Sequence, residues 1–155
     1  MKITTLCFLL KGDQILLAMK KRGFGEGKYN GVGGKVQSGE MIEEATVREA
    51  EEEIGVKILP EHLDKVAEIV FKFNDKPDWD LVCHVYFTHQ WQGEPTESDE
   101  MAPAWYQQNQ LPFDQMWVDD PHWLPLCLAG KKLNCEFCFG QDGAVLDSCR
   151  VDEIG

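Results

Sequence analysis

The segment that most constrains this chain is an acidic helix that ends in the sequence REAEEEIG. Helix-compatible sequence extends from about residue 41 to 54, and Gly55 follows as the residue that ends the helix. At about 100° per residue, Val47, Ala50 and Ile54 fall on one side of this helix, which is therefore expected to pack against the core.

Three glutamates, Glu49, Glu52 and Glu53, share a different face of the helix because they are spaced i, i+3 and i+4. Like charges at this spacing destabilise a helix by roughly 0.2–0.5 kcal/mol per pair. Negative charge is also disfavoured near a helix C-terminus. A solvated acidic face is the ordinary interpretation of such a helix, whereas a set of oxygen ligands for Mg²⁺ would explain why the repulsion is tolerated.

The loop before the helix favours the metal site. Gly33 and Gly34 permit close backbone approach and positive φ, Glu40 lies just before the helix, and Arg48 offers a guanidinium for a carboxylate or phosphate. From Gly34 the sequence GKVQSGEMIEEATVREAEEEIGV resembles the Nudix box, G-x5-E-x7-R-E-U-x-E-E-x-G-U, in which U is a bulky aliphatic residue. The matching positions are Gly34, Glu40, Arg48, Glu49, Glu52, Glu53, Gly55 and Val56.

The resemblance to the Nudix family, with its box at 34–56, implies hydrolysis of a nucleoside diphosphate linked to another group. It implies Mg²⁺ as the cofactor, with Mn²⁺ as a substitute, and assigns to Arg48 and Glu40 the bracing of the loop and helix. Ala50 is the one departure within the box, since a larger aliphatic residue is usual there. The implied catalytic and metal residues are Gly33 through its carbonyl, Arg48, Glu49, Glu52, Glu53 and Glu100. The choice of general base among these glutamates stays open.

The rest of the chain indicates one α+β domain over residues 1–155, with a mixed β-sheet sandwiched between helices in α/β/α order. A second helix is expected from Asp120 to the glycine at 130, although Pro125 should remove one of its backbone bonds. The glycine-rich stretch 23–40 is expected to be irregular, and 92–102 reads as a polar loop. Strands are expected at 3–10, 15–19, 69–73, 81–88, 133–139 and 144–151.

Segments outside the box, namely MKKRGFGEGKYNGVGGKV, IVFKF, ESDEM, MWVDD and FCFGQDGAVLD, resemble the animal branch of the family, which hydrolyses oxidised purine nucleoside triphosphates. Taken alone, the aromatic residues would be core, the two aspartates a helix N-cap, and the basic residues 20–22 a solvated strand end. The resemblance implies instead a substrate site made of Thr5, Lys20, Asn30, Phe71, Phe73, Trp117, Asp119, Asp120 and Trp123.

The chemistry of the oxidised base suits two carboxyl groups. Oxidation at C8 converts the N7 acceptor of guanine into a donor, which a carboxylate accepts, while a protonated carboxyl also donates. Close placement of Asp119 and Asp120 in an apolar slot should raise the pKa of at least one. We hypothesise that a change of protonation admits oxidised adenines as well as guanines, with Asn30 as a further base-reading side chain.

Four positions depart from the animal pattern, so the preferred base and the choice between ribose and deoxyribose stay open. They are Tyr29, Val32, Pro121 and His122. Two further alternatives also stay open: a Nudix hydrolase of another nucleotide derivative, and a catalytically silent nucleotide-binding module. Metal-dependent turnover and a substrate panel distinguish these alternatives.

The net charge and the cysteines indicate which partners and which cellular compartment to expect. With 27 acidic against 15 basic residues and a net charge of −12, binding to nucleic acid polymers or anionic membranes is not expected. An apolar run of about 18 residues, as a membrane span needs, is absent. The six cysteines have one C-x-x-C pair, Cys135 and Cys138, and are expected to be reduced structural thiols. A cytoplasmic monomer is therefore expected.

Overall fold

The computed structural model describes residues 1–154, so Gly155, the last residue of the predicted domain, lies outside the described part. Two α-helices are present, α1 (Ile42–Ile54) and α2 (Asp120–Leu128). The strands are β1 (Lys2–Lys11), β2 (Gln14–Lys20), β3 (Tyr29–Asn30), β4 (Asp64–Phe73), β5 (Leu81–Thr88), β6 (Met101–Gln107), β7 (Lys132–Gly140) and β8 (Val145–Ile154).

The strands form one mixed sheet with the order β3-β2-β1-β5-β4-β7-β8, and β6 pairs with β2. The pairs β1–β5 and β4–β7 are parallel, whereas the remaining pairs are antiparallel. A parallel pair needs a long crossover between its strands. The connection from β4 to β7 contains α2 and therefore supplies such a crossover.

The two helices cover opposite faces of the sheet, because the buried residues of the central strand β1 alternate between two cores. Cys7 and Leu9 pack in the core that contains Ala50 of α1. Phe8 and Leu10 pack in the core that contains α2. The predicted α/β/α sandwich is confirmed.

Helix α1 begins and ends close to the predicted positions. It ends at Ile54, and Gly55 follows with φ of +74°, a left-handed conformation that glycine adopts without strain. Ala50 and Ile54 are fully buried, and Val47 is half-buried against the same core. The predicted core face is therefore confirmed.

Several boundaries differ from those expected. The stretch expected to be irregular contains β3, which pairs with β2, and Val32 forms a bridge with Cys7. Strand β4 begins at Asp64 rather than at 69, and the polar loop ends at Glu100 because Met101 starts β6. No pattern indicated β6, which pairs only with β2; an edge position of this kind tolerates Pro103. Helix α2 ends at Leu128 although it contains Pro125.

All six cysteine thiols are free. Burial raises the pKa of Cys7, Cys83 and Cys127 to about 12, so these thiols are held in the neutral form. Cys138 is half-buried and Cys149 is exposed, so the expectation of buried structural thiols holds for only four of the six cysteines. Among residues 1–154, neither α1 nor α2 has the length and apolarity needed to cross a membrane.

Candidate active site

Glu53 is the most buried carboxylate on α1, with only 4% of the residue exposed. Its Oε1 accepts a hydrogen bond of 2.7 Å from the Gly33 amide, which joins the helix to the glycine loop. Burial, together with the charges of Glu49 and Glu100, raises the pKa of Glu53 to about 8, although the Gly33 bond and the nearby charge of Lys20 lower it. Burial and neighbouring negative charge therefore both disfavour the ionised form of Glu53.

Arg48 braces this face from its edge. Its guanidinium donates to both oxygens of Glu40, with Nε–Oε2 at 2.7 Å and Nη2–Oε1 at 3.1 Å. Nη1 donates to Glu49 at 3.0 Å and to Glu52 at 3.1 Å, and Nη2 also reaches the carbonyl of Lys35. One side chain thus ties the loop before α1 to two glutamates of the helix, as the bracing role predicts.

The two glycines before α1 lie where a side chain has no room. A Cβ at Gly33 would overlap the carbonyl group of Thr5 on β1, and a Cβ at Gly34 would lie 2.6 Å from Oε1 of Glu49. The absence of side chains lets the loop pass between the sheet and the carboxylate face. This close approach brings the Gly33 amide within reach of Glu53.

The oxygen-rich face has the donor chemistry of a hard divalent cation. Burial raises the pKa of Glu49 as well as that of Glu53, and a cation bound between them would favour their ionised forms. Within the described residues, however, no three acidic, histidine or cysteine side chains are gathered closely enough to hold a metal. Arg48 engages Glu49 and Glu52, and Arg22 lies 3.7 Å from Glu100. A cation would have to compete with these arginines.

A cavity of about 220 Å³ lies beside this face. Lys20 lines the cavity, and its charge lowers the pKa of Glu53, so it lies near both the cavity and the carboxylates. The structure brings all nine of the predicted substrate residues to this one cavity: Thr5, Lys20, Asn30, Phe71, Phe73, Trp117, Asp119, Asp120 and Trp123.

Asp119 and Asp120 are both buried at the start of α2. Asp119 occupies the N-cap position, but within residues 1–154 its carboxylate makes no capping bond, and its Oδ2 accepts from Trp123 Nε1 at 2.8 Å. Oδ2 of Asp120 is buried without a hydrogen-bond partner in the described structure. Burial raises the pKa of both carboxyl groups, most strongly that of Asp120, which the charge of Asp119 raises as well. The predicted rise of at least one pKa is confirmed.

The aromatic lining divides into core and rim. Phe71 and Phe73 lie on β4, where both rings pack against Phe139 of β7. Trp123 is almost fully buried and also belongs to the α2-side core, so it contacts the cavity as a core residue. Trp117 is half-buried at the rim. The aromatic wall is thus continuous with the core and held in position by it.

Two of the smaller polar residues offer different groups to the cavity. Oδ1 of Asn30 accepts from the Gly31 amide at 2.9 Å, which leaves the amide nitrogen of Asn30 as the donor that it presents. Oγ1 of Thr5 is buried and has no partner among residues 1–154. A buried polar atom without a partner is costly, so the unpaired oxygens of Thr5 and Asp120 favour a polar ligand here.

Sequence reasoning missed several residues of the cavity wall. Phe24 lines the cavity, and its ring centroid lies 5.1 Å from those of both Trp117 and Trp79. The Lys28 ammonium lies 5.2 Å from the centre of the Trp117 ring, and its charge opposes the rise of the Asp120 pKa. Both residues lie in the glycine-rich stretch, where no periodic pattern marks a side chain as inward. Met101 and Phe139 also line the cavity.

A family model described as the NUDIX domain matches residues 2–127. The oxidized purine nucleoside triphosphate hydrolase of Danio rerio is 42% identical over 153 residues, covering 99% of this chain and 96% of that protein. The protein of the same name from Mus musculus is 43% identical over 145 residues, covering 94% and 91%.

A solved structure supports the fold independently of these sequences. A MutT protein from Bacillus halodurans superimposes with a TM-score of 0.82, covering 98% of each chain at 22% identity. The superposition includes β7 and β8, which lie beyond the residues that the family model matches. The complete sheet is therefore part of the shared fold.

Proposed function

The chain belongs to the NUDIX family, and from that premise we propose that it hydrolyses oxidised purine nucleoside triphosphates to the nucleoside monophosphate and pyrophosphate. The proposed substrates are 8-oxo-dGTP and, through the protonation of the aspartate pair, 2-hydroxy-dATP and 8-oxo-dATP. This activity would remove oxidised nucleotides from the pool used for DNA synthesis. The names of the Danio rerio and Mus musculus relatives support it.

One observation carries the proposal: a carboxylate face and an aromatic cavity with two buried aspartates lie side by side, and Lys20 lies near both. The cavity accommodates a flat base, while the carboxylate face suits a cation and the phosphates. The lysine ammonium supplies positive charge where a triphosphate would cross from one to the other. A ligand with a purine at one end and a charged phosphate chain at the other matches both halves.

The reaction is the attack of water on a phosphorus of the triphosphate. The water oxygen forms the new bond to phosphorus, the bond to the leaving pyrophosphate breaks, and a glutamate takes the proton of the water. A bound divalent cation would neutralise phosphate oxygens and lower the pKa of bound water. The residues proposed to hold it are the Gly33 carbonyl and Glu49, Glu52, Glu53 and Glu100. Arg48 keeps two of these glutamates in place.

Base recognition is assigned to Asp119, Asp120 and Asn30. Burial raises the pKa of both aspartates, and a proton held by the pair would let it offer both an acceptor and a donor to the edge of a purine. Asn30 presents its amide nitrogen beside them. The rings of Phe71 and Trp117 supply apolar surface for the faces of the base.

Further parts of the proposal concern the cofactor and the setting. Mg²⁺ is proposed as the cation, with Mn²⁺ as a substitute, because the candidate ligands are all oxygens. A monomer in the reducing cytoplasm fits six free thiols. Light scattering coupled to gel filtration tests the monomer, and a dimer mass would overturn it.

The deciding experiment compares pyrophosphate release from 8-oxo-dGTP, 2-hydroxy-dATP, 8-oxo-dATP, dGTP and dATP with Mg²⁺, and uses Glu53→Gln as the inactive control. A strong preference for the oxidised bases is expected. Metal-dependent turnover without that preference would keep the NUDIX chemistry but contradict the assignment of the pocket. Absence of turnover of every nucleotide, with binding retained, would favour a silent module.

A further inference from the structure

The loop between β5 and β6 contacts both the C-terminal end of α1 and the residue that follows β2. Its first half is fixed to the C-terminal end of α1, where the Thr96 amide donates to the carbonyl of Ile54 at 2.9 Å. The amide and carbonyl of Gln92 pair with those of Lys57. The second half ends at Glu100, directly before β6. The position of Glu100 therefore depends on the contacts that fix this half of the loop.

Lys21 holds the second half by three hydrogen bonds. Its Nζ donates to Oε2 of Glu97 at 2.5 Å and to the carbonyl of Ser98 at 2.9 Å. Its main-chain amide donates to the carbonyl of Glu100 at 2.8 Å. The ion pair is exposed and alone would contribute little. Its effect comes from the combination, because one residue contacts the turn at Glu97, Ser98 and Glu100.

The turn that Lys21 holds is itself closed by Ser98. The Ser98 amide donates to the carbonyl of Met101 at 2.9 Å, and its hydroxyl oxygen accepts from the amides of Glu100 and Met101 at 3.3 and 3.1 Å. The backbone of Glu100 is thereby fixed on both sides. Its carboxylate lies 3.7 Å from the Arg22 guanidinium, and its charge contributes to the raised pKa values of Glu49 and Glu53.

The three basic residues at the end of β2 therefore have separate contacts. Lys20 lines the cavity and lies near Glu53, and Arg22 lies 3.7 Å from Glu100. Lys21 reaches the turn at 97–98. A solvated strand end would not need these partners, and phosphate binding by all three residues would leave the contacts of Lys21 unexplained.

We propose that Lys21 is a positioning residue that fixes the turn at 97–100 and so holds the Glu100 carboxylate beside Glu49 and Glu53 for divalent-cation binding. The inference rests on the proposed function, because it assigns a cation to this face. Lys21 itself contacts neither the cation nor the nucleotide. Its removal should therefore weaken cation binding while the base site stays intact.

The test is a titration of the nucleotide-free protein with Mn²⁺. The electron paramagnetic resonance signal of the free ion measures how much Mn²⁺ stays unbound. Lys21→Met keeps the aliphatic stem and removes the donors, and it is expected to weaken Mn²⁺ binding by about threefold to tenfold, the loss that corresponds to about one hydrogen bond. Lys21→Arg should recover much of the affinity. Lys11→Met is the matched control, because the Lys11 ammonium makes no hydrogen bond or ion pair within residues 1–154.

A double-mutant cycle with Glu100→Gln separates positioning from general loss of structure. If Lys21 acts through Glu100, Lys21→Met adds no further loss of Mn²⁺ affinity in the Glu100→Gln background. Additive losses, or unchanged affinity in Lys21→Met, would overturn the proposal. Should Lys21→Met fail to fold by circular dichroism, Glu97→Gln removes the same ion pair from the other side and is expected to weaken binding in the same direction; unchanged affinity there overturns the proposal.

The titration also separates this inference from the proposed function. Turnover is measured for each variant with 8-oxo-dGTP at low and at saturating Mg²⁺, and the defect of Lys21→Met should shrink at saturation. A wild-type protein that binds Mn²⁺ but hydrolyses no nucleotide would contradict the proposed function and leave the role of Lys21 supported by its own binding data. Normal turnover with unaltered Mn²⁺ binding in Lys21→Met would contradict only the role of Lys21.

Discussion

The main-chain amide of Gly33 donates a hydrogen bond of 2.7 Å to Oε1 of Glu53, twenty residues further along the chain. This bond connects the loop that lines the cavity to the helix that carries the acidic face. It also places a buried carboxylate beside a main-chain segment that has no room for a side chain. This contact therefore couples the geometry of the two halves of the site.

Replacement of Glu53 by glutamine should abolish turnover while the fold is retained. The amide carbonyl of glutamine still accepts the Gly33 bond, but the charge that a divalent cation requires is lost, so kcat/KM is expected to fall by at least about 100-fold. Pyrophosphate release measures the loss. Glu51→Gln is the matched control because Glu51 lies on the same helix and is exposed; equal losses in both variants would contradict the assignment.

Divalent cations should stabilise the folded protein. The uncompensated carboxylates repel one another, and a ligand at about 100 times its Kd adds about 2.7 kcal/mol to the free energy of unfolding. For a chain of this length we expect a rise in Tm of about 5–10 °C with Mg²⁺ or Mn²⁺, reversed by a chelator. Differential scanning calorimetry measures it. Glu53→Gln should show a much smaller rise, and an equal rise in that variant would argue against binding at this face.

Arg48 should not be replaceable by lysine. Its planar guanidinium donates to both oxygens of Glu40 and also reaches Glu49 and Glu52, and an ammonium cannot reproduce that set. Arg48→Lys is therefore expected to lower the free energy of unfolding by about 1–3 kcal/mol and to reduce turnover. Chemical denaturation measures the first effect. Arg150→Lys, at an exposed ion pair, should change stability by less than about 1 kcal/mol, and a similar loss there would contradict the argument.

The sequence predicted α1 and its carboxylate face because both follow from local periodicity. The same reasoning could not find β6, whose hydrogen bonds depend on a distant strand and whose Pro103 argues against a strand. The N-cap interpretation of Asp119 identified its backbone position correctly. Its side chain instead meets the Trp123 indole, and that orientation depends on packing beneath α2.

The cavity was predictable only where the resemblance supplied residues. Nine side chains predicted in this way lie around it, and their contacts with a nucleotide stay predictions. Phe24 and Lys28 were missed because glycines at 23, 25 and 27, all with positive φ, separate them from any regular pattern. Their inward direction follows from the turns of this loop, which a periodicity argument does not describe.

The glycine loop should control nucleotide binding through Trp117. A Cβ at Gly25 would lie 3.1 Å from Cζ2 of Trp117, whereas at Gly27, with nearly the same φ, no described atom lies within 4 Å. Gly25→Ala and Gly27→Ala therefore strain the backbone similarly, but only the first displaces the tryptophan ring. We expect KM for 8-oxo-dGTP to rise several-fold more in Gly25→Ala, with kcat less affected. Equal KM values would show that the loop does not act through Trp117.

The aspartate pair should make the stability of the fold depend on pH. Because burial raises the folded-state pKa values of Asp119 and Asp120, the folded state binds more protons than the unfolded state above the unfolded value of about 3.9. The free energy of unfolding therefore falls as pH rises from about 3.9 through the folded pKa values. Asp120→Asn removes the buried charge, so it should flatten this dependence and raise Tm at pH 7. The exposed Asp114→Asn is the control and should change neither.

Protonation of the same aspartate pair should also affect the pH dependence of kcat/KM. If the pair presents different protonation states to different bases, the pH profiles of kcat/KM for 8-oxo-dGTP and for 2-hydroxy-dATP will be displaced from each other. A substrate that needs a donor from the pair loses kcat/KM as pH rises through the pKa of the pair, whereas one that needs only acceptors does not. Asp119→Asn fixes a donor and should bring the profiles together. Wild-type profiles that superimpose, and that Asp119→Asn leaves unchanged, would show that protonation of this pair does not select the base.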